Sequence, residues 1–148
     1  MTDKQYLLVD GHSVIFQWPV FRRLHARNAA KCRAELTALL GTLHDSSSWL
    51  ITLVFDGKSG PDPSPEPGRM AVIYSKEGQT ADSIIERLVG QVNDPARVTV
   101  VTADEAERVT VEAMGAFVVS PDWLAGEIER TSGDLKRSLD SIHKGAKW

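Results

Sequence analysis

Leu7-Leu8-Val9-Asp10-Gly11-His12-Ser13 is the stretch whose reading decides the fold. Tyr6 to Val9 is a short apolar, β-favouring run closed by Asp10-Gly11, which reads as a buried strand ending in a carboxylate and a turn. The event recurs. Trp49–Phe55 is a second apolar run and ends in Asp56-Gly57; Val98–Val101 is another and leads into Thr102-Ala103-Asp104. A chain that repeatedly delivers a strand and then an acid is expected to build a parallel sheet. The first strand is then central, with an acidic pocket at its carboxyl edge.

Working outward, Met70–Tyr74 and Ala116–Val119 supply two more strands. Helices alternate with them. Asn28 to Leu43 places Ala30, Ala34, Leu36, Leu39, Leu40 and Leu43 at roughly helical spacing, with Asn28 as N-cap. Thr80 to Val92 is a second helix, capped by Thr80 and buried through Ile84, Ile85, Leu88 and Val89. Asp104 to Met114 is a third, stopped by Gly115, and Ser120-Pro121-Asp122 opens a fourth that reaches about Ile128. Val14 to Trp18 shows no clear element, and Pro19 suits an early helical position or a turn. Lys58 to Arg69 holds four of the seven prolines and reads as an exposed loop. The alternation predicts an α/β fold, a mainly parallel sheet with helices on both faces. Its domain is expected over residues 1–130, with a basic tail over 131–148 carrying Lys136, Arg137, Lys144 and Lys147.

A length of 148 residues suits one core, and 42% hydrophobic with 25% charged residues argues against global disorder. No apolar run approaches the roughly 20 residues a bilayer requires, so no membrane partner is expected. Cys32 is the single cysteine, which excludes an internal disulfide and a CxxC metal knuckle. With no signal-peptide core between Met1 and Gln5, the cytoplasm is the expected location. The net charge of −3 does not advertise nucleic-acid binding, though a basic rim around an acidic site would cancel in the total.

In a parallel sheet Asp10, Asp56, Asp104 and Asp82, the last in the first turn of the helix after the third strand, land on one edge. Gathered carboxylates repel one another, and a cation is the natural compensation. Hard oxygens suit Mg²⁺ or Mn²⁺, ions able to activate water and stabilise charge during phosphodiester cleavage. Each acid also has an ordinary reading as a cap or turn residue. Glu86 shares a helix face with Asp82, but an exposed helical Glu is its simpler reading. Ser13 could meet a phosphate through its hydroxyl or cap the next turn. Lys76 and Arg87 flank the Asp82 segment and are the candidates for holding a nucleic-acid backbone. Trp18 and Tyr74 could stack on bases, although packing suits both better. There is no Gly-x-Ser-x-Gly elbow and no complete P-loop.

The segments LLVDGHSVI, LVFDG, VIYSKEGQTADSIIERLV, VTVVTADEAER and GAFVVSPDWL resemble the YacP-like NYN domains, a branch of the PIN-like nuclease superfamily. The resemblance runs from about Tyr6 to Glu129, and its most specific piece is Ser75 to Leu88. It implies a parallel sheet with the first strand central and a metal-dependent endoribonuclease. Metal-binding acids would be Asp10, Asp82 and Asp104, with Asp56 nearby, Mg²⁺ or Mn²⁺ as cofactor and RNA as partner. Some relatives of this fold act on translation-associated RNA, which makes the ribosome a compatible partner. The chain departs from the family pattern twice. His12-Ser13 stands where the family usually has Tyr-Asn, and Ala103 where it usually has Ser. These departures motivate a competing reading, an RNA-binding module without catalysis. A small-molecule phosphatase would use the same acids.

Overall fold

The first apolar run forms β1 (Gln5–Asp10), and its alternating side chains divide the molecule in two. Leu7 and Val9 enter one hydrophobic cluster, whereas Leu8 enters another on the opposite face. The computed structural model describes residues 5–57 and 69–131. The expected basic tail over 131–148 therefore falls, apart from Thr131, outside the described residues, as does most of the proline-rich segment, Lys58 included.

The other strands are β2 (Trp49–Phe55), β3 (Ala71–Tyr74), β4 (Val98–Val101) and β5 (Phe117–Val119). They form one sheet in the order β3-β2-β1-β4-β5, with every pair parallel. The first strand is central, as expected. β1 is paired on both sides, and four of its six residues are buried, as suits an apolar strand covered on both faces.

The helices are α1 (Gly11–Gln17), α2 (Pro19–Arg27), α3 (Ala29–Ser46), α4 (Ala81–Gln91), α5 (Glu105–Ala113) and α6 (Pro121–Thr131). Residues of α1, α2, α3 and α6 pack with Leu7 and Val9, while residues of α4 and α5 pack with Leu8. The expected caps form. Asn28 accepts from the Lys31 amide at 3.0 Å, and Thr80 and Ser83 complete a reciprocal capping box at the start of α4. Gly115 ends α5 with φ of +102°, a conformation that favours glycine.

Two features depart from the sequence reading. Residues 11–17 form a helix although nothing in their spacing marks one; Val14 and Ile15 are buried there against the sheet, so tertiary packing overrides the low helix preference of a Gly-initiated, β-branched segment. In α3, Ala30 and Ala34 are exposed and Cys32 is buried in their place, shifting the apolar stripe. Trp18 is a core residue. Its indole N–H donates to the Pro121 carbonyl at 3.1 Å and ties the start of α2 to α6. Tyr74 packs on Phe55, with ring centroids 5.4 Å apart. None of the described helices is long and apolar enough to cross a membrane.

Candidate active site

Because β2, β1 and β4 are neighbours and parallel, their carboxyl ends open onto one edge, the edge where α/β folds build their sites. There the structure brings Asp10, Asp56, Asp82 and Asp104 together around a cleft of about 470 Å³, with Ser13 at its wall. Four separate segments contribute these acids: the ends of β1 and β2, the first turn of α4, and the residue that caps α5.

Asp10 is the most constrained, only 6% exposed. Its Oδ2 accepts from the Ser13 hydroxyl at 2.8 Å and from the Thr102 hydroxyl at 3.1 Å. Each hydroxyl in turn accepts a backbone amide of the β4–α5 connection, Ala103 on Ser13 at 3.0 Å and Asp104 on Thr102 at 3.1 Å. The Ser13 hydroxyl, expected to meet substrate, is thus engaged inside the protein and positions Asp10. Ala103, which lacks the family's usual hydroxyl, contributes through its main chain.

Asp56 joins β2 to α4. Its Oδ1 accepts from the Ser75 hydroxyl at 2.9 Å and the Ala81 amide at 3.3 Å, and the Ser75 hydroxyl accepts the Gly57 amide at 2.8 Å. This contact seats the N-terminus of α4, and with it Asp82, beside the sheet edge. Asp104 combines its two readings. It caps α5 through Oδ1, accepting from Ala106 at 2.9 Å and Glu107 at 3.2 Å, and it lines the cleft. Asp82 makes the electrostatic character of the place visible. Burial, then the neighbouring Asp10, Asp104, Glu86 and Asp56 carboxylates, push its carboxyl up to about 6.

One acid was not legible beforehand. Glu107 is 1% exposed, and neither carboxylate oxygen has a hydrogen-bond partner. Burial, the adjacent Glu86 carboxyl and the charges of Asp82 and Asp10 raise it to about 9. In sequence Glu107 sits three residues after the cap Asp104, the ordinary place for a capping-box glutamate. The available signal was Val111: four residues on, it shares the helix face of Glu107 and is buried. Glu86 is half-buried rather than exposed, and it faces Glu107. Thr102 was also missed as a site residue. Lys76 and Arg87 are exposed and do not line the cleft.

The acids share the cleft without closing on one another. Among the described residues no group of three or more His, Cys, Asp and Glu is arranged to hold a metal ion. The donor chemistry nonetheless fits a hard divalent cation. Every candidate ligand is a carboxylate, and the Glu107 carboxyl, whose charge is opposed by Asp82, is buried with no hydrogen-bond partner.

Comparison with known proteins agrees with the fold. The sequence profile of the YacP-like NYN domain matches residues 7–148. The chain belongs to the YacP-like NYN domain family. YacP of Bacillus subtilis (strain 168) is 30% identical over 139 residues, spanning 92% of this chain and 82% of YacP. The crystal structure of Rae1 (YacP) from Bacillus subtilis superposes with a TM-score of 0.76 at 28% identity, covering 95% of this chain and 83% of that one. Its W164L mutant gives 0.73 at 28% identity, covering 93% and 79%. The YacP-like NYN domains are a branch of the PIN-like nuclease superfamily, which points to a nuclease acting on RNA.

Proposed function

We propose that this protein is an endoribonuclease dependent on Mg²⁺ or Mn²⁺, acting in the cleft between the ends of β1, β2 and β4. The observation that carries the reading is the meeting of four carboxylates from four chain segments in one cleft, with the buried, unpartnered Glu107 behind them. Asp10, Asp82 and Asp104 would hold the cation and Asp56 would assist. When bound, such an ion supplies a Lewis acid for the phosphoryl oxygens and makes water a competent nucleophile near neutral pH.

The chain's own residues do the rest. Ser13 and Thr102 hold the Asp10 carboxylate in one orientation, which limits reorganisation during reaction. Asp56 sets the position of Asp82 through the Ala81 amide. The concentrated negative charge repels a bare phosphodiester, so RNA engagement is favoured by the cation or by removal of one of the charges. Lys76 and Arg87, on the segment that carries Asp82, meet the RNA backbone away from the scissile bond. RNA, free or ribosome-borne, is the partner class, and it places the activity in the cytoplasm.

A second reading, RNA binding without cleavage, has one observation in its favour, the lack of a closed ligand group among the described residues. One experiment separates the two. Purified protein is incubated with a mixed-structure RNA in Mn²⁺ and in EDTA, beside Asp10→Asn and Asp82→Asn. The nuclease reading expects internal cleavage that needs the metal and falls at least about 100-fold in each variant. Cleavage that persists in both variants rules out this site; RNA binding with no cleavage selects the second reading.

A further inference from the structure

The cleft has a second wall that the acids do not explain. His12 and Phe16 stand four residues apart on α1, hence on one helix face, and both line the cleft with Asp10 and Asp82. Their rings are stacked, with centroids 5.8 Å apart and planes inclined by 18°. His25 of α2 meets Phe16 edge-on at 5.1 Å and His12 at 6.4 Å. Phe16 is nonetheless 46% exposed, one of three large hydrophobic side chains so exposed among the described residues, and it alone of the three lines the cleft. Arg22 of α2 is tied to the same turn, its Nη1 donating to the Phe16 carbonyl at 3.4 Å.

An aromatic face held rigid by two further rings is a surface for a flat partner, because stacking needs a large planar contact and little loss of side-chain freedom. A phosphodiester entering the acid cleft carries its sugar and base with it. In a duplex that base is paired and stacked within the helix and offers no face to a side chain, whereas an unpaired base does. We propose that Phe16, buttressed by His12 and His25, is a stacking platform for one unpaired base of the RNA whose phosphate enters the acid cleft. The inference rests on the reading of the cleft as an RNA site and adds a base-contacting residue to it.

The test measures binding and cleavage separately. Fluorescence of a short single-stranded RNA carrying one 2-aminopurine, and of the same RNA annealed to its complement, is titrated with protein in the Asp82→Asn background. Phe16→Ala, Phe16→Leu and Phe16→Trp are compared in that background. Phe16→Leu keeps apolar volume without a π-face, and the half-exposed position makes all three variants tolerable for folding, which a thermal melt checks. Phe16→Ala and Phe16→Leu are expected to weaken single-strand binding about tenfold, with Phe16→Trp restoring it and quenching the 2-aminopurine. The duplex is expected to bind weakly and to be indifferent to residue 16. Equal binding by the Leu variant, equal affinity for the duplex, or no RNA binding at all would overturn the platform. Phe16-dependent binding without cleavage by the wild-type protein upholds the platform and removes the nuclease reading. Metal-dependent cleavage indifferent to residue 16 does the reverse.

Discussion

Glu107 is a carboxyl group placed where only its neutral form is comfortable. Folding raises it from 4.5 to about 9, first by burial and then through Glu86, Asp82 and Asp10. Asp82 is raised in the same sense, from 3.8 to about 6. The sign of the linkage follows. Between the unfolded and folded values the native chain holds more protons than the unfolded one, so stability falls as pH rises through that window. In the cation-free protein the contribution of Glu107 is complete below 4.5 and lost by about 9, with Asp82 adding to the fall below 6. Glu107→Gln removes the larger part of this dependence. In EDTA it is expected to stabilise the protein by about 1–3 kcal/mol at mildly alkaline pH, where folding otherwise requires Glu107 to take up a proton that the unfolded chain has released, and to change little in acid. Urea melts across the pH range check this; parallel curves for wild type and variant would show that Glu107 is not the group responsible. At this scale the four aspartates were legible, because each follows a strand or opens a helix. Glu107 and Thr102 were not, because their burial depends on α4 and β1, distant in sequence.

α1 shows what an element can conceal. It begins at the residue after β1 with no connecting loop, so Asp10 is both the last strand residue and the helix cap. Gly11 makes that turn possible for a steric reason. A Cβ at this position would lie 2.6 Å from Cδ1 and Cε1 of Phe55 and 3.1 Å from the Val54 carbonyl oxygen. Phe55 is fully buried and stacked on Tyr74, so its ring has nowhere to go without disturbing β2 or β3. Gly11→Ala is expected to destabilise the fold by about 1–3 kcal/mol, the usual cost of overpacking. It is also expected to lower any activity of the cleft, since Asp10 and Ser13 lie on either side. A denaturant titration reads the first effect, and a wild-type midpoint would mean that the Phe55 ring yields. The contrast with α4 is instructive. Thr80, with Ile84, Ile85 and Val89 behind it, announces α4 locally, and the cap forms as expected, with Ser83 completing a capping box that the structure adds. α1 has seven residues and owes its helical form to burial of Val14 and Ile15.

The whole molecule is a device for bringing charges together. Strand order β2-β1-β4 sets the acids after three successive strands side by side, and α4, coming after β3, supplies the fourth. Burial and then that gathering raise Asp82, and a cation would relieve the repulsion. Mn²⁺ or Mg²⁺ is therefore expected to raise the thermal midpoint, more at mildly alkaline pH than at about pH 5, because the ion must displace the proton held by Asp82. Asp82→Asn should blunt the shift. Thermal melts with and without the ion at both pH values decide it, and a midpoint unmoved by either ion at either pH would favour the non-catalytic reading.

The amino-acid sequence by itself determined the class of fold, the strands and most of the helices, and the identity of the four aspartates. Those signals are local: apolar period, caps, turns and an acid after each strand. Only the tertiary structure decided which acids share a cleft, that the Ser13 hydroxyl donates to Asp10, that Lys76 and Arg87 stay outside, and that Glu107 is buried without a partner. Distance across a sheet edge depends on strand order and helix packing, and neither is written in the spacing of residues along the chain.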